Sequence, residues 1–223
     1  MKSKLYLKCI VILLILVGYL AFAFPIDTFG QTDTVYSFVT KWGSLGKGDG
    51  QFDGQNDVDF YNGRVYVADY ANHRIQIFDP HGNSIAKFGE GGEGDGQFHK
   101  ASALSIDSEG NIYVADQFNF RIQKFTNDGK FVMKWGSKGT DDGQFQGPSG
   151  LSIDANDNIY VTDKNNDRIQ IFTSDGQFIT KFGETGSGDG QLNKPEGVGV
   201  DKESGAVYVA DTGNSRIQLF EHQ

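Results

Sequence analysis

The sequence predicts an all-β fold, a β-propeller of four four-stranded antiparallel blades. The first observation behind this prediction is a pattern of 13 residues that occurs four times. Its copies are Tyr66–Phe78, Tyr113–Phe125, Tyr160–Phe172 and Tyr208–Phe220, and their arginines lie 47 or 48 residues apart. A fixed period of this length is typical of a repeat architecture. The second observation is composition, because 30 glycines and 13% aromatic residues favour short strands joined by tight turns.

The third copy shows the four strands of a blade most clearly. A glycine-rich loop, Asp142–Phe145, leads to a short strand at Leu151–Asp154. The next three strands are predicted at Ile159–Thr162, Arg168–Phe172 and Phe178–Phe182. Each strand is short, alternates apolar and polar side chains, and is bounded by Gly, Asn or Asp. Four such strands in a unit of about 45 residues form one propeller blade.

Residues 1–24 have the pattern of a targeting segment. Three lysines precede an almost wholly apolar stretch, Cys9–Ala23, and Ala21–Ala23 has the small-x-small pattern of a cleavage site. Counted from Leu5, the apolar stretch is also long enough for a spanning helix. The segment is therefore either a removed signal peptide or an uncleaved membrane anchor. In both cases we expect the rest of the chain outside the cytoplasm, secreted or anchored, because the lysines stay inside.

The remaining chain divides into a linker, residues 25–34, and the predicted propeller, residues 35–223. The fourth repeat ends at Phe220 without the outermost strand of its blade, and a spare copy of that strand, Phe38–Trp42, precedes the first repeat. If this strand pairs with Arg216–Phe220, a monomer closes into a ring of four blades without an open edge. The alternative is an open arc that forms a homodimer to complete a larger ring.

The repeated polar residues are predicted to be structural. In the third copy Asp163, Asn166 and Arg168 bring an acid, an amide and a guanidinium together, which resembles a catalytic group. All four copies carry the same three residues, and four identical catalytic sites in one domain would be unusual. Asp and Asn side chains hold turns by bonding nearby backbone, and Arg pairs with the acid or with neighbouring carbonyls. Function is therefore expected at positions that differ between copies.

Two sets of positions differ between the copies. In the loops between second and third strands we expect a partner-binding surface that comprises Tyr70, Phe118, Phe120, Lys164 and Asp167. On the innermost strand of the first repeat, Asp57 and Asp59 replace the small residues of the other copies. These two carboxylates are candidate ligands for a calcium ion in the central channel. No other cofactor is predicted.

The repeated residues of the four copies resemble the pattern of a known family. The pattern Gly-Asp-Gly-Gln-Phe, Pro-x-Gly, Asn-Ile-Tyr-Val-x-Asp, Asn-x-Arg-Ile-Gln-x-Phe and Phe-Gly resembles the NHL repeat over about Phe38–Phe220. The resemblance implies a β-propeller, usually of six blades. It also implies a range of roles: platforms that bind protein or RNA, sensor domains outside bacterial cells, and lyases or hydrolases with bound metal.

Charge narrows these roles. The net charge of −9 opposes binding to a phosphate backbone, so nucleic acid is not an expected partner. The function that the sequence favours is a non-enzymatic, extracytoplasmic scaffold that binds a protein or a small ligand. The alternative is a metal-dependent lyase or hydrolase of the propeller type.

Overall fold

The computed structural model describes residues 36–221 and shows an all-β, four-blade propeller. Three blades are four-stranded antiparallel sheets whose strands follow chain order, and the last blade has three strands. The predicted targeting segment, residues 1–24, and the predicted linker, residues 25–34, lie outside the described residues. Between residues 36 and 221, no helix is long and apolar enough to cross a membrane.

The strands agree closely with those read from the repeats. Blade one contains β1 (Gln55–Tyr61), β2 (Arg64–Asp69), β3 (Arg74–Phe78) and β4 (Ser84–Phe88). Blade two contains β5 (Ala101–Ile106), β6 (Ile112–Asp116), β7 (Arg121–Phe125) and β8 (Phe131–Trp135). Blade three contains β9 (Pro148–Ile153), β10 (Ile159–Asp163), β11 (Arg168–Phe172) and β12 (Phe178–Phe182). Blade four contains β13 (Val198–Val200), β14 (Val207–Asp211) and β15 (Arg216–Phe220). A single 3-10 turn joins the second and third strands of each blade, at Tyr70–Asn72, Gln117–Asn119, Lys164–Asn166 and Thr212–Asn214.

The core lies between successive blades. Tyr66 and Ile75 of blade one are buried in one cluster with Leu104 and Ile106 of the inner strand of blade two. Because both faces of a middle blade are covered in this way, all five residues of β6 (Ile112–Asp116) are buried. A strand buried on both faces reads as a continuous apolar run, which is the physical reason for the Ile-Tyr-Val element of the repeat.

Aromatic residues at the end of the outer strands lock each blade to the next. The Trp135 ring lies 5.8 Å from the Phe172 ring, and a Cβ atom on Gly176 would meet the Trp135 indole at 2.9 Å. Gly176 also has a φ of +78°, so glycine is required there for two reasons. The Phe88 ring packs in the same way, 4.7 Å from Phe125. These aromatic side chains therefore pack between successive blades.

The predicted closure of the ring is wrong in this structure. β15 (Arg216–Phe220) pairs only with β14, and residues 36–44 contain no strand. Instead, the Trp42 ring packs 5.9 Å from Phe78 of blade one. Trp42 therefore lies at the opposite end of the arc from the three-stranded sheet, because its ring occupies the aromatic position against blade one.

The four blades form an open arc. Inner strands of successive blades lie side by side, whereas β1 (Gln55–Tyr61) and β13 (Val198–Val200) share no such row of contacts within residues 36–221. The outward faces of the end blades are exposed: Phe60 of blade one is 61% exposed and Ile217 of blade four is 67% exposed. Their equivalents at the inner junctions, Ile106 and Ile122, are 6% and 0% exposed.

Candidate functional site

The repeated Asp-x-x-Asn-x-Arg motif is a structural staple. In blade one, Arg74 Nε donates to Asp69 Oδ2 at 2.8 Å. The other guanidinium nitrogens donate to the carbonyl oxygens of Lys47, Gly48 and Gln51, which form the glycine-rich loop. The same set of bonds recurs in the other three blades. Because the four aspartates are fully buried and already bonded, the motif is part of the frame that positions the loops.

A cavity of about 700 Å³ lies among the loops of the four blades. Four of the five predicted partner-binding residues line it: Tyr70, Phe118, Phe120 and Lys164. The rest of the lining is formed by Asn56, Ser102, Gln117, Lys138, Gln146, Gly147, Ser149, Asn165 and Glu196. Five of the lining residues lie on 3-10 turns, each of which follows directly after a second strand: Tyr70, Gln117, Phe118, Lys164 and Asn165. We refer to this cavity as the loop cleft.

Tyr70 is held in place by two neighbouring blades. Its hydroxyl donates to Gln117 Oε1 at 2.9 Å, and Lys100 Nζ lies 4.7 Å from its ring centroid. Burial raises the pKa of Tyr70, against the opposing effect of Lys164, so the hydroxyl remains a donor at neutral pH. The ring is thus a fixed wall of the cleft.

The two phenylalanines differ in their exposure. Phe118 is 47% exposed, with its ring 5.1 Å from the His99 ring. Phe120 is partly buried against the core between blades two and three, and Lys138 Nζ lies 5.2 Å from its ring centroid. Phe118 therefore offers an open aromatic surface, whereas Phe120 anchors the turn and holds a lysine at the cleft.

Charged and amide side chains line the loop cleft. Lys164 forms an ion pair with Glu196 across the junction of blades three and four. At the base of the cleft, Asn56 Nδ2 donates to the Ser102 carbonyl at 2.7 Å, and Ser149 Oγ donates to the Glu196 carbonyl at 3.1 Å. These bonds fasten successive inner strands together. The cleft therefore has a rigid polar base and aromatic walls.

Asp167 lies outside the loop cleft, unlike the other predicted partner-binding residues. Its Oδ2 accepts a hydrogen bond from Thr185 Oγ1 at 2.7 Å, and its Oδ1 accepts one from the Lys194 backbone at 2.7 Å. His73 occupies the same repeat position and its Nδ1 likewise accepts from the backbone N–H of Lys100 at 3.1 Å. The contacts of Asp167 thus fasten a loop between blades.

Asp57 and Asp59 join the inner strands of blades one and two. Asp57 Oδ2 accepts from the Leu104 N–H at 2.9 Å, and Asp59 Oδ2 accepts from the Ile106 N–H at 3.0 Å. The Oδ1 atom of each aspartate accepts from the backbone N–H of the residue that directly follows it in β1. Burial raises the pKa of both carboxyls. Across residues 36–221, no group of three or more metal-ligating side chains is present.

Sequence reasoning missed several cleft residues. Gln117 and Asn165 sit on the same 3-10 turns as Phe118 and Lys164, and Glu196 stands where the other blades have Asn56 or a serine. A position-by-position comparison of the turns would have included Gln117, because it aligns with Tyr70. Lys138 and Gln146 lie in loops that the repeat leaves variable, and only the fold brings them to the cleft.

An open arc of four blades with a loop cleft defines the class of this protein as a β-propeller. The chain matches the DUF5128 family, described as 6-bladed beta-propeller, over residues 49–135 and 138–222. The matched residues are most of the chain, so this protein belongs to that family. None of the curated proteins matches its sequence.

Solved structures show the same fold at low identity. A streptogramin B lyase has a TM-score of 0.58 at 18% identity, over 76% of this chain and 55% of the lyase. A candidate exported protein of Bacteroides fragilis has a TM-score of 0.55 at 17% identity, over 79% of this chain and 52% of its own. The computationally designed Ika4 protein has a TM-score of 0.55 at 14% identity, over 83% of this chain and 100% of its own. This chain thus spans little more than half of the lyase.

Proposed function

We propose that this protein is an extracytoplasmic, non-enzymatic binding propeller of the NHL type, and that its loop cleft binds an extended peptide segment of a partner protein. One observation carries the proposal. Tyr70, Phe118, Phe120 and Lys164, singled out because the repeat does not require them, converge on one cavity of about 700 Å³. Residues that serve the fold recur in every blade, whereas these differ and meet at one place.

The chemistry of the cleft fits a peptide backbone. Gln117, Gln146 and Asn165 carry amide groups that can both donate and accept hydrogen bonds, which is what an extended peptide presents along its length. Phe118 offers a half-exposed ring to an apolar side chain of the peptide. Lys138 supplies a positive charge beside that surface, which favours a peptide with an acidic residue.

The location outside the cytoplasm is supported by residues 1–24, whose lysines and apolar stretch match a targeting segment. The likeness to a candidate exported protein of Bacteroides fragilis agrees with this location. The likeness to a streptogramin B lyase is at 18% identity, so it supports the fold and carries no inference about chemistry.

Peptide selection tests the proposal. A phage library of random peptides is selected on the purified full chain, and the affinity of a labelled selected peptide is measured by fluorescence anisotropy. We expect the double variant Tyr70→Ala/Phe118→Ala to weaken binding by about tenfold or more, because two aromatic contact residues are removed. The matched control is Ile179→Ala, which removes an exposed apolar side chain on the outer strand of blade three.

The control is expected to keep full affinity, and circular dichroism checks that both variants are folded. Selected peptides that bind the double variant as tightly as the original chain would contradict the loop cleft as the binding site.

A further inference from the structure

The two ends of the arc carry unpartnered apolar faces. On blade four the face directed away from blade three exposes Tyr208, Ile217 and Leu219. On blade one the face directed away from blade two exposes Val58 and Phe60. At the inner junctions the residues equivalent to Ile217, which are Ile75, Ile122 and Ile169, are fully buried. Apolar side chains in these positions are normally covered by the next blade.

The two faces are complementary because they are the two halves of one kind of junction. Within the chain, Ile75 packs in a cluster with Leu104 and Ile106 of the next inner strand. Val58 and Phe60 hold those two positions in blade one, and Ile217 holds the position of Ile75 in blade four. A blade-four face placed against a blade-one face therefore repeats a contact that the chain already makes three times.

Blade four also lacks a strand. In blade two the third and outer strands pair with Ile122 opposite Trp135 and Gln123 opposite Lys134. The corresponding edge of β15 (Arg216–Phe220) is unpaired in the described part of the chain. The spare segment has the sequence of an outer strand, and the repeat register places Ile217 opposite Trp42 and Gln218 opposite Lys41.

An ion pair is missing at the same place. In each complete blade a lysine of the outer strand pairs with the aspartate of the glycine-rich loop: Lys87 with Asp49, Lys134 with Asp95, and Lys181 with Asp142. Lys41 and Asp189 hold these two positions in the spare segment and in blade four. Neither forms an ion pair among residues 36–221. The charge that blade four lacks is thus present on the spare segment.

Trp42 already lies at the end of the arc that this pairing requires. Trp42 packs 5.9 Å from Phe78, and a Cβ atom on Gly82 would meet its indole ring at 2.5 Å. Trp135, which belongs to a complete preceding blade, contacts Phe172 and Gly176 in the same way. Trp42 therefore occupies, against blade one, the position of an outer-strand tryptophan of a preceding blade.

We propose that two copies of this chain close one ring of eight blades. Blade four of each copy packs against blade one of the other, and Thr40–Trp42 of each copy forms the missing outer strand beside β15 (Arg216–Phe220) of the other. The two contacts are equivalent, so the assembly has two-fold symmetry and leaves no open sheet edge at the joins. Eight blades lie within the range that propellers adopt.

Light scattering measures the mass of the full chain in solution and so tests the assembly. The measurement is corrected for the detergent that keeps residues 1–24 soluble. We expect twice the 24.5 kDa mass of one chain, and a single-chain mass for Ile217→Glu, because a carboxylate then lies in the joining face. The control Ile179→Glu changes an exposed isoleucine outside the join and should keep the doubled mass. A single-chain mass for the original protein, a mass of three or more chains, or an unaffected Ile217→Glu would overturn the proposal.

Cross-linking distinguishes two copies from a ring closed by one copy. In a Cys9→Ser background, Lys41→Cys/Gln218→Cys is oxidised with copper phenanthroline and run on a non-reducing gel. We expect a covalent dimer, because the two cysteines meet only between copies. The control Gln123→Cys/Lys134→Cys has the same register within blade two and should cross-link inside one chain. A cross-link within one chain for the first pair, or none while the control reacts, would rule out the two-copy ring.

Discussion

The junction between blades two and three and the free face of blade four use the same residues with different results. Ile122 and Arg121 in blade two are buried, at 0% and 6% exposure. Their equivalents in blade four, Ile217 and Arg216, stand at a face that no blade covers, and the Arg216 side chain is 28% exposed. The repeat specifies one blade surface four times, but the neighbouring blade decides how much that surface contributes to stability.

The largest difference is expected at the arginine staple. Arg121→Ala leaves the fully buried Asp116 without its ion pair and should lower the free energy of unfolding by about 3–5 kcal/mol. In dilute protein, where copies are separate, Arg216→Ala should cost less, because the Arg216 side chain is already 28% exposed and water can enter the space it leaves and solvate Asp211. Urea unfolding followed by tryptophan fluorescence measures both. Equal losses for the two variants would show that burial at the junction does not set the strength of the staple.

A smaller difference is expected at the apolar contact. Ile122→Ala removes a fully buried side chain from the junction and should cost about 2–5 kcal/mol. Ile217→Ala, measured in dilute protein where copies are separate, should change the free energy of unfolding by less than about 1 kcal/mol. Urea unfolding at two protein concentrations also tests association between copies. The stability of the original protein should rise with concentration, whereas that of Ile217→Ala should not.

The sequence predicts most of the fold because the repeat records it four times. The strands and the Asp-x-x-Asn-x-Arg staples follow from the repeated pattern of apolar, glycine and polar positions. The prediction was wrong at the ends of the arc. The repeat pattern pairs Phe38–Trp42 with β15 (Arg216–Phe220), but it does not say whether the two segments of one copy can meet. Curvature of the arc depends on packing between blades, which no single repeat encodes.

The candidate site was predictable in part for the same reason. Tyr70, Phe118 and Lys164 stand out because they lie at the first two positions of the 3-10 turns, where the copies differ. Lys138 and Gln146 lie in the connection between β8 and β9, outside the 3-10 turns, so only the arrangement of neighbouring blades brings them into the cleft. Asp167 also differs between copies, yet its carboxylate bonds to Thr185 and the backbone of the next loop.

The smallest expected effect concerns the junction of blades one and two. At this junction two carboxylates of β1 accept hydrogen bonds from the backbone of β5. Burial raises the pKa of Asp57 and Asp59, so the folded chain holds their protons more tightly than the unfolded chain does. The stabilising contribution of the protonated forms is complete below the unfolded pKa of 3.8 and is lost as pH rises through the raised folded values. The original protein should therefore lose stability over this window relative to a variant without these carboxylates.

The matched variant is Asp57→Ala/Asp59→Ser, which copies Ala103 and Ser105 of blade two. Urea unfolding is measured at intervals from about pH 4 to pH 8, across the range in which raised carboxyl pKa values titrate. The free energy of unfolding of the variant minus that of the original protein should rise with pH and then become constant. A constant offset at every pH would reflect only the lost hydrogen bonds to Leu104 and Ile106, and the two carboxyls would then titrate alike in the folded and unfolded chain. A difference that rises with pH would instead show that the pKa values of Asp57 and Asp59 are raised in the folded chain, as their burial at the junction with blade two predicts.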